Sequence, residues 1–348
     1  MKKLLNILSV VTLLTVMLAL FAGCSNSSYI VTIEGEKVPS DFYKFAILNS
    51  KYEILSGLGG SGSDTPAFWD TKYSEDKTIG NVAEEQAKNL IIGIQLIKNI
   101  FNDMGLSYTD EQKNGVTSDI DTFISNSFDG DKGYREYLRN LGITKTTFEA
   151  SFWDPVTQTC VVEALYGENS EDPLTETFAK EYFGENYSLV KHILIQNKDE
   201  SGAALSESEL NEKKKLAEDL LQKAKNGEDY DALMNEYSED PGLASNPDGY
   251  LVDKVIGGWV QEFMDAAENM EIGELRLVES SYGYHIIKKL DKNSDPKFFD
   301  DEKDNLLNTL KRQKLSDKLM EIKENSTIEY NEKALEKYNA KTVFLPTS

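Results

Sequence analysis

Leu189-Val190-Lys191-His192-Ile193-Leu194-Ile195 and Gly283-Tyr284-His285-Ile286-Ile287 are the two stretches that decide the reading of this chain. Both are short, rich in apolar and β-branched residues and bounded by turn formers, which is the pattern of strands. Each holds one of only two histidines in 348 residues. Between them lie a charged amphipathic helical pattern from Ser206 to Lys225, stopped by Gly227, and a short helical pattern from Tyr230 to Tyr237. A loop rich in Gly, Pro, Asn and Asp spans 239–249, and another helical stretch covers 260–269. Strands at both ends with helices between them predict one compact α/β unit of about 100 residues.

Outward toward the N-terminus the periodicity changes. After a strand-like run, Tyr29 to Ile33, helical patterns are expected over 40–55, with Ser40 as cap, and over 81–104. The second carries a stripe of Ala83, Ala87, Leu90, Ile91, Ile94, Leu96 and Ile97. Further helical segments are expected at 109–127, 132–141, 145–168 and 173–183, so residues 29–185 read as mainly α-helical. Outward toward the C-terminus a long helix, Phe299 to Asn325, presents Leu306, Leu307, Leu310, Leu315, Leu319 and Ile322. Such a stripe has to be buried. Packing on the N-terminal helices would make that region discontinuous, with the α/β unit inserted into it.

The chain opens with Lys2 and Lys3, runs apolar from Leu4 to Ala22 and breaks at Gly23-Cys24-Ser25-Asn26. That is an export signal rather than part of the fold. Its end, Leu20-Phe21-Ala22-Gly23-Cys24, resembles a bacterial lipobox, which implies cleavage before Cys24 and a lipid on its sulfur. Cleavage would remove two lysines and take the net charge from −23 to −25. This balance opposes binding to nucleic acid or to an anionic surface. With Cys24 modified, Cys160 is left without an intramolecular partner, and its apolar surroundings read as a helix core position.

Other motif matches fail on context. Gly57-Leu58-Gly59-Gly60-Ser61-Gly62 fits a dinucleotide pattern, yet it follows a helix and no helix follows it. Asp129-Gly130-Asp131 begins like a calcium loop, but Tyr134 stands where glycine must turn and Asn140 where a glutamate must chelate. A zinc site made of His192, His285 and Asp240 lacks any ligand spacing motif. Two strand histidines can also be structural residues with satisfied hydrogen bonds.

The order of segments points further. The His192-Ile193-Leu194-Ile195 opening is followed by Gly227-Glu228-Asp229-Tyr230, Tyr237-Ser238-Glu239-Asp240, Phe263-Met264-Asp265-Ala266-Ala267, Ile272-Gly273-Glu274-Leu275 and the Gly283–Ile287 ending. Residues 187–291 therefore resemble a parvulin (rotamase) domain. The resemblance implies catalytic roles for His192, Asp240 and His285, the histidines meeting across the sheet. It also implies a proline pocket walled by Phe263, Leu251 and Trp259. Two positions differ from the family pattern: the turn reads Asp248-Gly249-Tyr250-Leu251-Val252, and Trp259 stands where Met is usual. Taken with the helical N-terminal region and its Val31–Val38 opening, the plan resembles extracytoplasmic foldases of the PrsA type, related to SurA.

The expected fold class is α+β and multi-domain. A mainly α-helical, discontinuous chaperone lobe would carry an inserted parvulin α/β domain of the FKBP-like superfold. The expected segments are a signal peptide 1–23, a lipidated tether 24–28, a helical chaperone domain 29–185, the parvulin domain 186–291 and a returning C-terminal helix 292–348. The resemblance implies a peptidyl-prolyl isomerase and foldase needing no cofactor and no metal, anchored outside the cytoplasm. Its partners would be unfolded exported proteins containing X–Pro bonds, the membrane through its lipid, and a second copy in a homodimer. A holdase with a weak or inactive parvulin domain is the alternative.

Overall fold

The computed structural model describes residues 28–58, 62–199 and 201–345. Cys24 and the signal segment lie outside them. Two compact units emerge: one formed by the chain up to Asp172 and again from Arg312, the other by Pro173–Lys311. Among the described residues no helix is long and apolar enough to cross a membrane.

The first unit starts with a hairpin, β1 (Tyr29–Ile33) and β2 (Glu36–Pro39). Its two-residue turn has Glu34 and Gly35 both at positive φ, 49° and 85°, the backbone that matches strand twist. β7 (Ile328–Tyr330) pairs antiparallel along the other edge of β1. Six helices follow the hairpin: α1 (Ser40–Gly57), α2 (Pro66–Trp69), α3 (Ile79–Asp103), α4 (Asp110–Ser127), α5 (Gly130–Leu141) and α6 (Lys145–Tyr166). Reciprocal capping boxes, Thr78 with Asn81 and Thr109 with Gln112, fix the starts of α3 and α4. Ser40 is not a cap. It is the first residue of α1, buried, and its hydroxyl accepts from Ser28 Oγ at 3.0 Å.

The core of this unit joins Ile30, Ile33, Ala87, Ile91, Leu96, Tyr134 and Phe148. The stripe on α3 is buried only in part. Ala83, Ala87, Ile91 and Leu96 are inside, whereas Leu90 is 42% exposed. With Ile94, Ile97, Phe42 and Phe45 it lines an open cleft of about 470 Å³. Cys160 is half-buried on α6 and accepts from Gln112 Nε2 at 3.3 Å.

The second unit is built on an antiparallel sheet in the order β4-β3-β6-β5: β3 (Tyr187–Gln196), β4 (Tyr250–Asp253), β5 (Leu275–Ser280) and β6 (Gly283–Leu290). The two histidine strands are neighbours at its centre. One sheet face, with Ile193, Ile195, Tyr284 and Ile286, is covered by α8 (Glu207–Lys225) and α9 (Tyr230–Tyr237). The other, with Val190, Val252 and Ile287, is covered by Phe263, Ala266 and Ala267 of α10 (Gln261–Asn269). A further cluster joins α7 (Glu176–Asn186) through Ala179 and Phe183 to Phe299 of α11 (Lys297–Asp300) and to Leu306.

The long C-terminal helix, α12 (Lys303–Asn325), differs from expectation. Its stripe does not belong wholly to the N-terminal helices. Leu306, Leu307 and Leu310 pack in the second unit, and only from Arg312 on does the helix belong to the first, where Leu319 and Ile322 join the core. α13 (Glu332–Lys337) then ends the helices of the first unit.

Candidate active site

The strand register brings the histidines together. His192 is opposite Ile287 and Leu194 is opposite His285. Directly opposed residues share a sheet face and alternate residues return to it, so His192 and His285 are diagonal neighbours on the face covered by α10. Both are about 95% buried, since each is 5% exposed. Asp240 reaches them because the segment after α9 is tied to β3: Glu239 N–H donates to Leu194 O at 2.8 Å, and Leu194 N–H donates to Ser238 Oγ at 3.2 Å. Gly249, at φ 111°, permits the next close approach. A Cβ there would lie 2.7 Å from Val190 O, so only glycine lets the loop meet β3 before β4 begins.

These placements make one continuous chain of hydrogen bonds. Ser280 Oγ lies 2.7 Å from His285 Nε2, His285 Nδ1 lies 3.2 Å from His192 Nδ1, and His192 Nε2 lies 3.1 Å from Asp240 Oδ2. Tyr250 donates to the same Asp240 oxygen at 2.5 Å, and Gly242 N–H donates to Oδ1 at 3.0 Å. Tyr282 N–H donates to Ser280 Oγ at 3.1 Å. With one proton on each imidazole, one arrangement satisfies every group. Ser280 donates to His285, His285 donates through Nδ1 to His192, and His192 donates through Nε2 to the ionised Asp240.

Charge follows the same order. Burial alone would raise the pKa of Asp240, but donation by His192, Tyr250 and the Gly242 N–H outweighs it and brings the carboxyl down to about 2. Burial, and next the neighbouring His192, lower His285 to about 4. The Tyr250 hydroxyl is raised by burial and by its bond to Asp240. Among the described residues no group of three or more His, Cys, Asp or Glu is arranged to hold a metal ion.

Beside the polar chain stands an aromatic wall. Phe263 is buried, with its ring edge-on to His192 at 5.1 Å and to His285 at 5.3 Å. Trp259 stacks on Phe263 at 5.3 Å with 15° between the planes. Of the residues expected here, His192, Asp240, His285, Phe263 and Trp259 are assembled together. Leu251 is not. Alternation along β4 turns Tyr250 and Val252 toward this face and Leu251 to the opposite one, where it packs with the Phe183 and Phe299 cluster. Tyr250 fills the position assigned to Leu251, in T-shaped contact with His192 at 5.2 Å and with Trp259 at 5.3 Å. The resemblance implied the next residue along, and β4, four residues long, is too short for its inward face to be read from periodicity. Ser280 was also missed. Its signal was available as a hydroxyl five residues before His285, across the Ser281–Tyr282 turn.

Residues 174–293 match the PPIC-type PPIASE domain. With the site above they define a parvulin-type peptidyl-prolyl isomerase domain. Parts of the chain are similar to PrsA foldase proteins. Foldase protein PrsA 4 of Bacillus cereus is 42% identical over 104 residues, 30% of this chain and 36% of that protein. Foldase protein PrsA of Geobacillus kaustophilus is 38% identical over 154 residues, 43% of this chain and 48% of its own. The chain thus spans about a third to a half of the length of these relatives. A foldase protein PrsA from Caldanaerobacter subterraneus subsp. tengcongensis aligns over 86% of both chains at 25% identity. A crystal structure of the peptidylprolyl isomerase PrsA from Bacillus cereus covers 90% of this chain and 98% of its own, at 23% identity and a TM-score of 0.37.

Proposed function

We propose that the protein is a peptidyl-prolyl cis–trans isomerase and foldase for exported proteins, with His192, Asp240 and His285 as the polar side of its site. The observation that carries this reading is the hydrogen-bonded chain from Ser280 to Asp240 set against the rings of Phe263 and Trp259. The X–Pro bond is held planar by resonance, with a barrier of about 18–20 kcal/mol. At the twisted transition state resonance is lost, the nitrogen regains its lone pair and the carbonyl oxygen sheds negative charge. An apolar pocket with an anionic carboxylate at its edge favours that state over the charge-separated planar amide. A 10⁴-fold acceleration needs only about 5.4 kcal/mol.

The catalytic body is residues 186–291, which contain all four strands of the second unit's sheet. The chaperone region is the first unit, the chain up to Asp172 and again from Arg312, with Cys24 carrying the lipid anchor on the outer face of the cell membrane. Clients are unfolded exported chains with X–Pro bonds. The test is exchange of a proline peptide followed by NMR with the purified full-length protein and no added metal. Absence of acceleration by folded protein would sink the enzyme reading. Cys24→Ala should abolish lipid attachment, and normal anchoring of that variant would refute the anchor.

The holdase alternative has one observation of its own, the open apolar cleft lined by Phe42, Phe45, Leu90, Ile94 and Ile97. It would persist if catalysis proved absent.

A further inference from the structure

We infer that Tyr250 is a positioning residue of this site: its hydroxyl sets the rotation of the Asp240 carboxylate toward His192, and its ring closes the pocket between His192 and Trp259. The inference rests on the isomerase reading for its catalytic consequence, though the geometry stands by itself. Tyr250 opposes Val190 at the end of β4, so its side chain leaves the sheet on the face of His192. Two donors, the phenol at 2.5 Å and His192 Nε2 at 3.1 Å, converge on Oδ2 of Asp240. The Gly242 N–H fixes only the other oxygen, at 3.0 Å. Without the phenol, Oδ2 would be held only by His192 Nε2, at the longer distance of 3.1 Å. The phenol supplies the second anchor and holds Oδ2 where His192 donates.

A second observation points the same way. A Cβ on Gly242 would lie 2.6 Å from the Tyr250 hydroxyl. The backbone of Gly242 is at φ −82°, a conformation open to any residue, so this glycine serves space rather than backbone freedom. That space belongs to the phenol oxygen. Asp240 is faced by His192 of β3, with His285 of β6 behind it, and by Tyr250 of β4. Across the cleft of about 430 Å³ on its other side stand Lys191 of β3 and Asp231 of α9, joined to each other. The adjoining Glu239 is held by Lys213 of α8.

The experiment compares wild type, Tyr250→Phe and Gly242→Ala as purified full-length proteins. It reads the ¹³C titration of the Asp240 carboxyl and the pH profiles of kcat and KM on a proline peptide. Tyr250→Phe keeps the ring and removes the anchor. Asp240 should then titrate at least one pH unit higher, and the acid limb of kcat/KM should rise with it. At neutral pH kcat should fall about tenfold, the size of one charge-assisted hydrogen bond, with KM within twofold. Gly242→Ala displaces the hydroxyl without touching Tyr250 and should shift the titration in the same direction, which keeps the inference testable if Tyr250→Phe does not fold. An Asp240 titration and acid limb that match wild type in the folded variants would overturn it. Should wild type show no turnover, the isomerase reading falls while the carboxyl titration still decides whether Tyr250 holds Asp240.

Discussion

Asp240→Asn is the sharpest perturbation of the site, because it keeps shape and removes charge. In the native chain three donors meet this carboxylate, from His192, Tyr250 and Gly242. An amide has one accepting oxygen. With the relay running in its present direction, at least one donor must face an NH₂ group. The magnitude follows from the depression of the carboxyl from 3.8 to about 2, which is worth about 2.5 kcal/mol at neutral pH. Its sign is definite. A carboxyl with a lowered folded pKa contributes fully above its unfolded value, and the contribution is lost as pH falls from about 4 toward 2. Denaturant titration of the second unit should show Asp240→Asn less stable by about 2 kcal/mol at pH 7, with that part of the acid dependence gone. The two histidines make the relay directly visible by ¹⁵N imidazole NMR. Wild type should carry its protons on Nε2 of His192 and Nδ1 of His285. Opposite tautomers in wild type, or a variant of unchanged stability, would refute the assignment.

Three further outcomes are expected. His285 is lowered from 6.5 to about 4, so the unfolded chain takes up a proton first. Stability present above pH 6.5 should decline by about 3 kcal/mol as pH falls to 4, and His285→Gln should remove this component in the same denaturation series. Trp259→Met should raise kcat/KM on short proline peptides by a few-fold, since the indole lies flat on the Phe263 face, while costing about 1 kcal/mol of stacking; a fall in kcat/KM would show that the indole binds substrate instead. Lys51 is fully buried, donates to Ala340 O at 2.8 Å and to Val343 O, and pairs with Asp64 at 2.6 Å. Lys51→Met should therefore destabilise the first unit by about 3 kcal/mol through loss of the buried ion pair and of the two bonds to the C-terminal tail, measured by denaturation and by the fluorescence of Trp69, whose ring lies 4.9 Å from the ammonium.

What the sequence made legible depended on how many residues each element had in which to show a period. β3 and β6 have ten and eight residues, enough to declare themselves, and the long helix α3 did so through its apolar stripe. β2, β4 and β7 have four, four and three, so each forms only because a longer partner strand offers its edge. β4 shows the consequence. Within four residues neither face has a repeating pattern, and the resemblance that implied Leu251 carries no information on the register. The sheet decides it: Tyr250 opposes Val190 and Leu251 opposes Leu189, and Val190 shares the histidine face. A one-residue slip exchanges the faces completely, so the identity of a wall residue rested on a pairing that local sequence does not encode. The polar residues escaped this difficulty. His192 and His285 lie in strands that pair with each other over eight residues, which fixes the register between them, and Asp240 is delivered by a turn bonded to the first of those strands. The long pairing explains why His192 and His285 meet as the resemblance implied, while the wall residue on β4 and the Ser280 end of the hydrogen-bonded chain are set by pairings that local sequence does not show.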